Sequence, residues 1–579
     1  MTQAFLWTIA ILGVGGIALL LAGRWLPARW SAWASLGLLA VALLPFLLLR
    51  AGPLEVRLFS WIPADEGPIG IAYRFDTLSR AFALLAGLSA VPLLLWMALG
   101  APAEEGHYAP WLLFLLALFL NLLGSADLLQ AYASWEGLIL ATYLLLVYRR
   151  SSLPTPGIAE WFLGGQHLAG YALLAALLLV IRPAGTLHYG LLNPGAVAPA
   201  ALLLLLGTTW VRMAQVPFQG WALAVAESPG PVSTMLLGGG GLLAGPYIWL
   251  RFLSRVSAHT PREVALVAGS ISLVVGAALA LRQESGRQVQ AGDTASRLGL
   301  LWIALGLDGP LGVAASLFLL LDFVWGKVLF HIALSGGGRL NRPVRQALFA
   351  FGVWGAAGLP PSAGFVGRWL LVLGLFQAGR PAYLPIVLLA TPLMLSYLWR
   401  GWTLLPLAGA GDKPRPAAAQ GVVVGWAALL PLSGAAAPGL WRLLLERSSM
   451  AVLGIDVLAV RAPMGTLEAW IPVWGLVLLL IGAGWAWWSG ALRRRGARPK
   501  QALAAVKGPL QEPLLALPGE TAWLAWVGRP APLYRFFGRL LGRLAGGLQR
   551  TVTSLERHTT YFLLFVLVAA GAVLIFLTR

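Results

Sequence analysis

Two ionisable residues stand in segments that are otherwise apolar, Glu136 in ASWEGLILATY and Arg212 in WVRMAQVPFQGW. Inside a membrane such groups mark ion or proton paths by default, because each costs roughly 2.5 to 3.5 kcal/mol at the centre of a spanning helix. A carboxylate in that setting takes up and releases protons. A guanidinium, with a pKa above about 12, keeps its charge and acts as a fixed field. Tyr132 and Tyr143 fall on the helical face of Glu136, and Thr208 and Gln215 on that of Arg212, so both charges are lined for hydrogen bonding. The alternative for Glu136 is a structural carboxylate held by tyrosine hydroxyls.

The elements that must position these groups are membrane helices. Of 579 residues, 59% are hydrophobic and 11% charged, and the mean hydropathy is +0.79, which excludes a set of water-soluble domains. Apolar runs long enough to cross a bilayer recur along nearly the whole length, at about 14 to 16 spans. The runs are continuous and not alternating, so they are helices and not barrel strands. With no cysteine, the chain holds no disulfide, no thiolate-bound iron–sulfur cluster and no cysteine zinc site. The six histidines show no metal-ligand spacing.

Spans at 4–22 and 31–50 lead to a polar stretch, 51–77, whose Gly, Pro and alternating residues predict a short external hairpin. Spans follow at 79–99, 109–124, 126–148 and 161–181. The segment 199–226 reads as a helix broken at Pro217, a device that frees backbone groups to line a polar cavity. Further spans lie near 231–250, 264–281, 291–306, 311–336, 347–377, 384–406, 419–440 and 469–489, the last at 560–577. Four glycines at 238–241 sit within a span, so they read as a packing or flexibility feature and not as a nucleotide loop.

The net charge of +19 would suit a polyanion, but its distribution points to membrane topology. With the N-terminus outside, Arg24, Arg29, Arg149, Arg150, Arg282, Arg287, Arg339, Arg342, Arg345, Arg400, Lys413, Arg415 and the 493–557 stretch share one side. Arg251, Arg255 and Arg262 break the pattern by lying outside, and Glu104 and Glu105 by lying inside. Within the basic stretch, Tyr534, Phe537, Leu541, Leu544 and Leu548 recur at helical spacing between arginines, an amphipathic helix on the membrane surface or on a neighbouring subunit. Gly538, Gly542, Gly546 and Gly547 favour the alternative of a solvated loop.

Six ordered motifs carry a resemblance: ASWEGLILATY, WVRMAQVPFQGW, ESPGPVS, RQESGRQVQAGDTASRLG, DFVWGKVLFHIALSGG and AGLPPSAGFVGRW. They are similar to those of the antiporter-like membrane subunits of respiratory complex I, Mrp antiporters and membrane-bound hydrogenases. The resemblance implies an all-α polytopic fold of two inverted five-helix repeats containing broken helices, with a charged axis along the membrane centre. It implies domains at 1–108 (N-terminal spans and hairpin), 109–255 and 256–408 (the two repeats), and 409–490 (additional spans). The lateral segment at 491–559 and a final helix at 560–579 complete the chain.

Carried over residue by residue, Glu136 matches the family's fifth-helix glutamate, and Arg212 stands where the family has the lysine that pairs with it. Lys327 matches the lysine of the eleventh helix, with His331 one turn on, either a relay group or a satisfied core histidine. Arg368 occupies the position of the residue that ends the second half-channel. The sequence departs from the pattern at Leu237 and Leu243, where a lysine or histidine is usual, and at Phe323, where a histidine is usual. Asp322 lies outside the pattern. Five residues from Lys327, it is on another face, and reads either as a helix-capping carboxylate at a membrane edge or as a proton-uptake group.

The resemblance implies proton translocation by electrostatic coupling along this axis, driven by redox chemistry in partners. It further implies no cofactor in this chain, flavin and iron–sulfur centres in a peripheral redox module, sibling antiporter-like chains as neighbours, and a prokaryotic inner membrane. Nucleic acid is not an expected partner. Two other readings stand beside it: the membrane half of an inorganic-carbon uptake pump, and a degenerate structural subunit that conducts nothing.

Overall fold

In the computed structural model the described residues lie within 2–441, apart from 24, 49–53, 63–68, 100–104, 149–157, 185, 191, 193–196, 229, 239, 254–258, 336–339 and 406–416. The span at 469–489, the lateral segment 491–559 and the helix 560–579 fall outside them.

Helices α1 (Thr2–Ala22) and α2 (Ala28–Leu48) lead into an antiparallel hairpin of β1 (Leu54–Ile62) and β2 (Ile69–Phe75), as the composition of 51–77 predicts. Eight described helices are long and apolar enough to cross a membrane by length and composition. Among them are α3 (Thr77–Ala98), α6 (Ile158–Ala184), α11 (His259–Leu281), α13 (Pro310–Ser335) and the helix that contains α16 (Leu384–Thr403). Others fall short of that measure for a physical reason. The pairs α7 (Pro199–Arg212) with α8 (Gly220–Ala226), and α14 (Arg342–Ala356) with α15 (Ala363–Gln377), are half-helices on either side of a break, and α9 (Gly230–Gly238) and α10 (Gly240–Leu253) are described up to and from residue 239. Helix α12 (Gly286–Gly306) carries Arg287, Asp293 and Arg297 within its length. The remaining described helices are α4 (Ala109–Gly124), α5 (Leu128–Val147), α17 (Ala417–Leu432) and the single turn α18 (Ala437–Leu440).

The break predicted at Pro217 begins earlier, because α7 ends at Arg212 and Ala214 takes a positive φ of 52°. The same local design recurs in the second half. Trp210 Nε1 donates to Val216 O at 2.9 Å, ahead of the cis Val216–Pro217 bond, and Trp354 Nε1 donates to Pro360 O at 3.0 Å, ahead of the cis Pro360–Pro361 bond. Each tryptophan closes the loop at the end of its half-helix and satisfies a carbonyl that the break would orphan. The span expected at 231–250 contains α9 and α10.

At the centre stands α13, where every residue from Leu311 to Leu334 is buried. It packs on α14, α15, α12 and α9, while α1, α2, α6 and α16 present exposed residues such as Trp7, Leu48, Leu178 and Leu388 outward. Between helices in lipid the drive is close packing rather than exclusion of water, and small residues permit it. Helices α11 and α12 show this. A Cβ on Gly299 would lie 2.5 Å from Leu273 N, and one on Gly292 would lie 2.8 Å from Ala280 Cα. A bulky side chain at Gly299 would force apart the pair that positions Asp293 and Arg297.

Two basic residues that break the charge-sidedness rule are explained by their partners. Arg251 at the end of α10 forms an ion pair with Asp76, the N-cap of α3, and donates to Ser79 Oγ at 2.8 Å and Tyr247 Oη at 2.9 Å. Arg262 of α11 meets Asp308 at 2.7 Å and Leu307 O at 3.0 Å. A sidedness rule counts basic residues in the loops, whereas these are neutralised within the protein.

Candidate functional site

The first charged cluster lies where α5, α6 and α7 meet. Asp127 caps α5 by accepting from Gln130 N, and Glu136 follows two and a half turns into the helix. Its Oε2 pairs with His167 Nδ1 of α6 at 2.9 Å, and Tyr132 faces the same carboxylate from one turn below. Gly170 permits this closeness, since a Cβ there would overlap Glu136 Oε1. Arg212 does not pair directly with Glu136, contrary to the expectation from its position. Its Nε donates to Gly241 O at 2.9 Å and its Nη1 to Gln166 Oε1 at 3.3 Å, with the guanidinium 5.5 Å from the centre of the Trp135 ring. Helix α6 therefore interposes Gln166 and His167 between acid and guanidinium, and the charges interact only through space.

The second cluster is larger and fully enclosed. Lys327 Nζ lies 2.6 Å from Asp293 Oδ2, and both side chains are 0% exposed. It also donates to the Gln290 backbone carbonyl and lies 3.3 Å from Gln290 Oε1. Tyr397 of α16 donates to Asp293 Oδ1 at 2.7 Å. One turn along α12, Arg297 sits 3.9 Å from Asp293 and 2.6 Å from Asp322 Oδ2. The order Lys327, Asp293, Arg297, Asp322, Arg368 alternates in sign, and three cations against two anions leave the ionised row one positive charge in excess.

Asp322 is not a capping carboxylate at a membrane edge. It lies in the middle of α13, 3% exposed, with Oδ1 unpartnered and packed against Gly355 and Gly364 on either side of the α14–α15 break. It makes no pair with Lys327, as the five-residue spacing requires. Phe323, in the place of an expected histidine, lies under both cations, 5.1 Å from the Arg297 guanidinium and 5.6 Å from Lys327 Nζ. His331 is 0% exposed, with Nδ1 3.3 Å from Ser233 Oγ of α9 and Nε2 without a hydrogen-bond partner, so it is not a fully satisfied core histidine.

Arg368 points its guanidinium at the end of α14, donating to the carbonyls of Ala356 and Ala357, to Thr391 Oγ1 at 2.7 Å and toward Met394 Sδ. The last carbonyls of a helix carry partial negative charge and lack intrahelical donors, so a buried cation there satisfies them. Arg212 instead donates to a carbonyl at the start of α10. The helices α9 and α10 touch both clusters: Gly241 O accepts from Arg212, and a Cβ on Gly238 would lie 3.2 Å from Lys327 Cβ. Leu237 and Leu243, at 0% and 1% exposure, add no charge there.

The residues that the spacing analysis passed over are His167, Asp293, Arg297 and Tyr397. Asp293 and Arg297 were legible as an i, i+4 acid–base pair in an otherwise weakly charged segment. His167 and Tyr397 gave no signal beyond being polar in apolar helices. Among the described residues no three His, Asp or Glu side chains come together to hold a metal ion.

Helices broken beside buried charges, arranged around a wholly enclosed acid–base row, define a polytopic membrane protein with a charged interior. Residues 125–393 match the family described as NADH:quinone oxidoreductase/Mrp antiporter, TM, and this region of the chain is of that antiporter-like subunit type. It is 28% identical over 416 residues to NADH-quinone oxidoreductase subunit L of Mycobacterium tuberculosis, covering 65% of this chain and 64% of that one. The chain thus matches somewhat under two thirds of that relative's length. Subunit N of Geobacillus kaustophilus is 24% identical, over 58% of this chain and 76% of its own. A chain of respiratory complex I from Thermus thermophilus superposes with a TM-score of 0.60 at 27% identity, covering 75% of this chain and 98% of that one. A chain of the Mrp complex from Dietzia sp. shares the fold, with a TM-score of 0.67 at 20% identity over 78% of this chain and 100% of its own.

Proposed function

We propose that this chain is a proton-translocating membrane subunit of an energy-converting complex resembling NADH:quinone oxidoreductase, without redox chemistry of its own. The observation that carries the reading is the enclosed row from Lys327 to Arg368, linked to the Glu136 cluster through α9 and α10, where Gly238 packs on Lys327 and Gly241 O accepts from Arg212. Two unit charges 4 Å apart interact by about 4 kcal/mol at the effective dielectric of a protein, so moving one proton on Lys327 re-weights Asp293 between Lys327 and Arg297. Arg297 then shifts its balance between Asp293 and Asp322, and the disturbance reaches the end of α14 through Arg368. The arginines transmit field and keep their protons; Glu136, Lys327 and His331 are the groups that exchange them. Flavin and iron–sulfur subunits, with sibling antiporter-like chains, would be the partners that start the disturbance.

The test is Glu136→Gln in membranes carrying the native complex. Translocation should be lost while assembly persists, and unchanged pumping would refute the reading. The degenerate structural reading draws on the two arginines at helix ends, and normal flux in both Glu136→Gln and Lys327→Met would favour it. Co-purification with a soluble zinc protein in place of a redox module would favour inorganic-carbon uptake.

A further inference from the structure

We infer that His167 is the proton-exchanging partner of Glu136, the role that an arginine at 212 cannot fill. The inference rests on the translocation reading above and adds to it a residue and a step. An acid that receives and passes on a proton needs a neighbour that releases one, and a guanidinium does not. The ring nearest the carboxylate is His167, 2.9 Å away through Nδ1. Arg212 is turned from the acid and occupied with Gly241 O and Gln166 Oε1.

The ring is built to pass a proton through. It stacks on Tyr171 at 6.2 Å with planes 17° apart, which sets its orientation, and Gly170 removes the side chain that would separate α6 from the carboxylate. One nitrogen is on Glu136. The other, Nε2, has no hydrogen-bond partner among the described residues, and the side chain is 35% exposed. An imidazole with one nitrogen on an acid and the other accessible accepts a proton at Nε2 and gives one from Nδ1 to Glu136 Oε2, ending neutral with its tautomer exchanged. Return to the starting tautomer, by ring rotation or by proton loss and gain, completes the cycle. No bond other than N–H and O–H changes, and no redox partner is needed. The charged and titratable groups around the pair are Glu136 and Tyr132 on α5, Tyr171 on α6 and Arg212 on α7.

The experiment compares His167→Asn with Glu136→Gln in native membranes, reading proton translocation and complex assembly. Asparagine keeps a donor for the carboxylate but carries no exchangeable proton. The expected result is assembly at the wild-type level with translocation down at least tenfold in both. Wild-type translocation in His167→Asn while Glu136→Gln is dead overturns the role of His167 and leaves the broader reading standing. Wild-type translocation in both overturns the broader reading and this one with it.

A second measurement needs no variant. Gln166–His167 is the only Gln–His pair in the sequence, so carbonyl-13C glutamine with 15N histidine assigns this ring alone in reconstituted wild-type chain. Its side-chain nitrogens should show exchange between the Nδ1–H and Nε2–H tautomers. A ring held in one tautomer overturns the inference.

Discussion

Removing either member of the Arg297–Asp322 pair should be strongly destabilising, and removing both should be less so than their sum. The two atoms are 2.6 Å apart, with side chains 5% and 4% exposed, so neither charge has solvent to fall back on. Leaving one charge of a buried pair uncompensated costs about 3 to 5 kcal/mol. The surroundings decide where in that range each variant lies. Arg297→Met leaves Asp322 within the field of Arg368, which places it near the lower end, about 3 kcal/mol, or roughly a hundredfold in the folded-to-unfolded ratio. Asp322→Leu leaves Arg297 and Arg368 facing each other, with Asp293 3.9 Å from Arg297 as remaining relief, and belongs near the upper end, about 5 kcal/mol. The double variant replaces a charge pair by two apolar side chains, an exchange that is often neutral, so the coupling energy should be at least about 2 kcal/mol. The assay is detergent-induced unfolding of the reconstituted chain followed by tryptophan fluorescence. Additivity within about 0.5 kcal/mol, or either single variant within about 1 kcal/mol of wild type, would refute the pairing.

Three further outcomes follow from the same structure. Gly170→Ala places a methyl group on Glu136 Oε1, so it should separate the carboxylate from His167 and lower translocation at least tenfold with assembly retained, measured by proton uptake in native membranes. Trp354→Phe and Trp210→Phe each strip a carbonyl at a helix break of its donor and should cost about 1 to 3 kcal/mol in the same unfolding assay. Arg251→Met leaves Asp76 buried and alone and should cost about 3 to 5 kcal/mol, while Arg251→Lys keeps the charge but not the forked geometry and should recover part of it.

Much of the fold was legible because a bilayer narrows the choices. Continuous apolar runs can only be helices there, Pro217 marks a break, and the Gly- and Pro-bounded stretch 51–77 could form the hairpin that β1 and β2 make. Glu136 and Arg212 were found for the same reason, since a charge in an apolar helix stands out without knowledge of its neighbours, whereas Lys327 and Arg368 came from the family resemblance. The partners were harder to read. Glu136 and Arg212 look like a pair along the sequence, yet α6 comes between them and gives one His167 and the other Gln166. Arg251 looked like a charge on the wrong side until Asp76, on another helix, was seen to neutralise it.

What the sequence determined by itself was the class of solvent, the helical content, the presence of a break near Pro217, and which side chains are too costly to be there without a purpose. Each depends on a single segment and its transfer energy. What only the tertiary structure decided was the order of the row, Lys327 to Asp293 to Arg297 to Asp322 to Arg368, drawn from α13, α12 and α15. Likewise, only packing turned Arg368 into a cap for the end of α14 and made a histidine the neighbour of the key acid. In a low dielectric a charge is governed by whatever lies within a few ångströms of it, and those neighbours come from helices far apart in the chain.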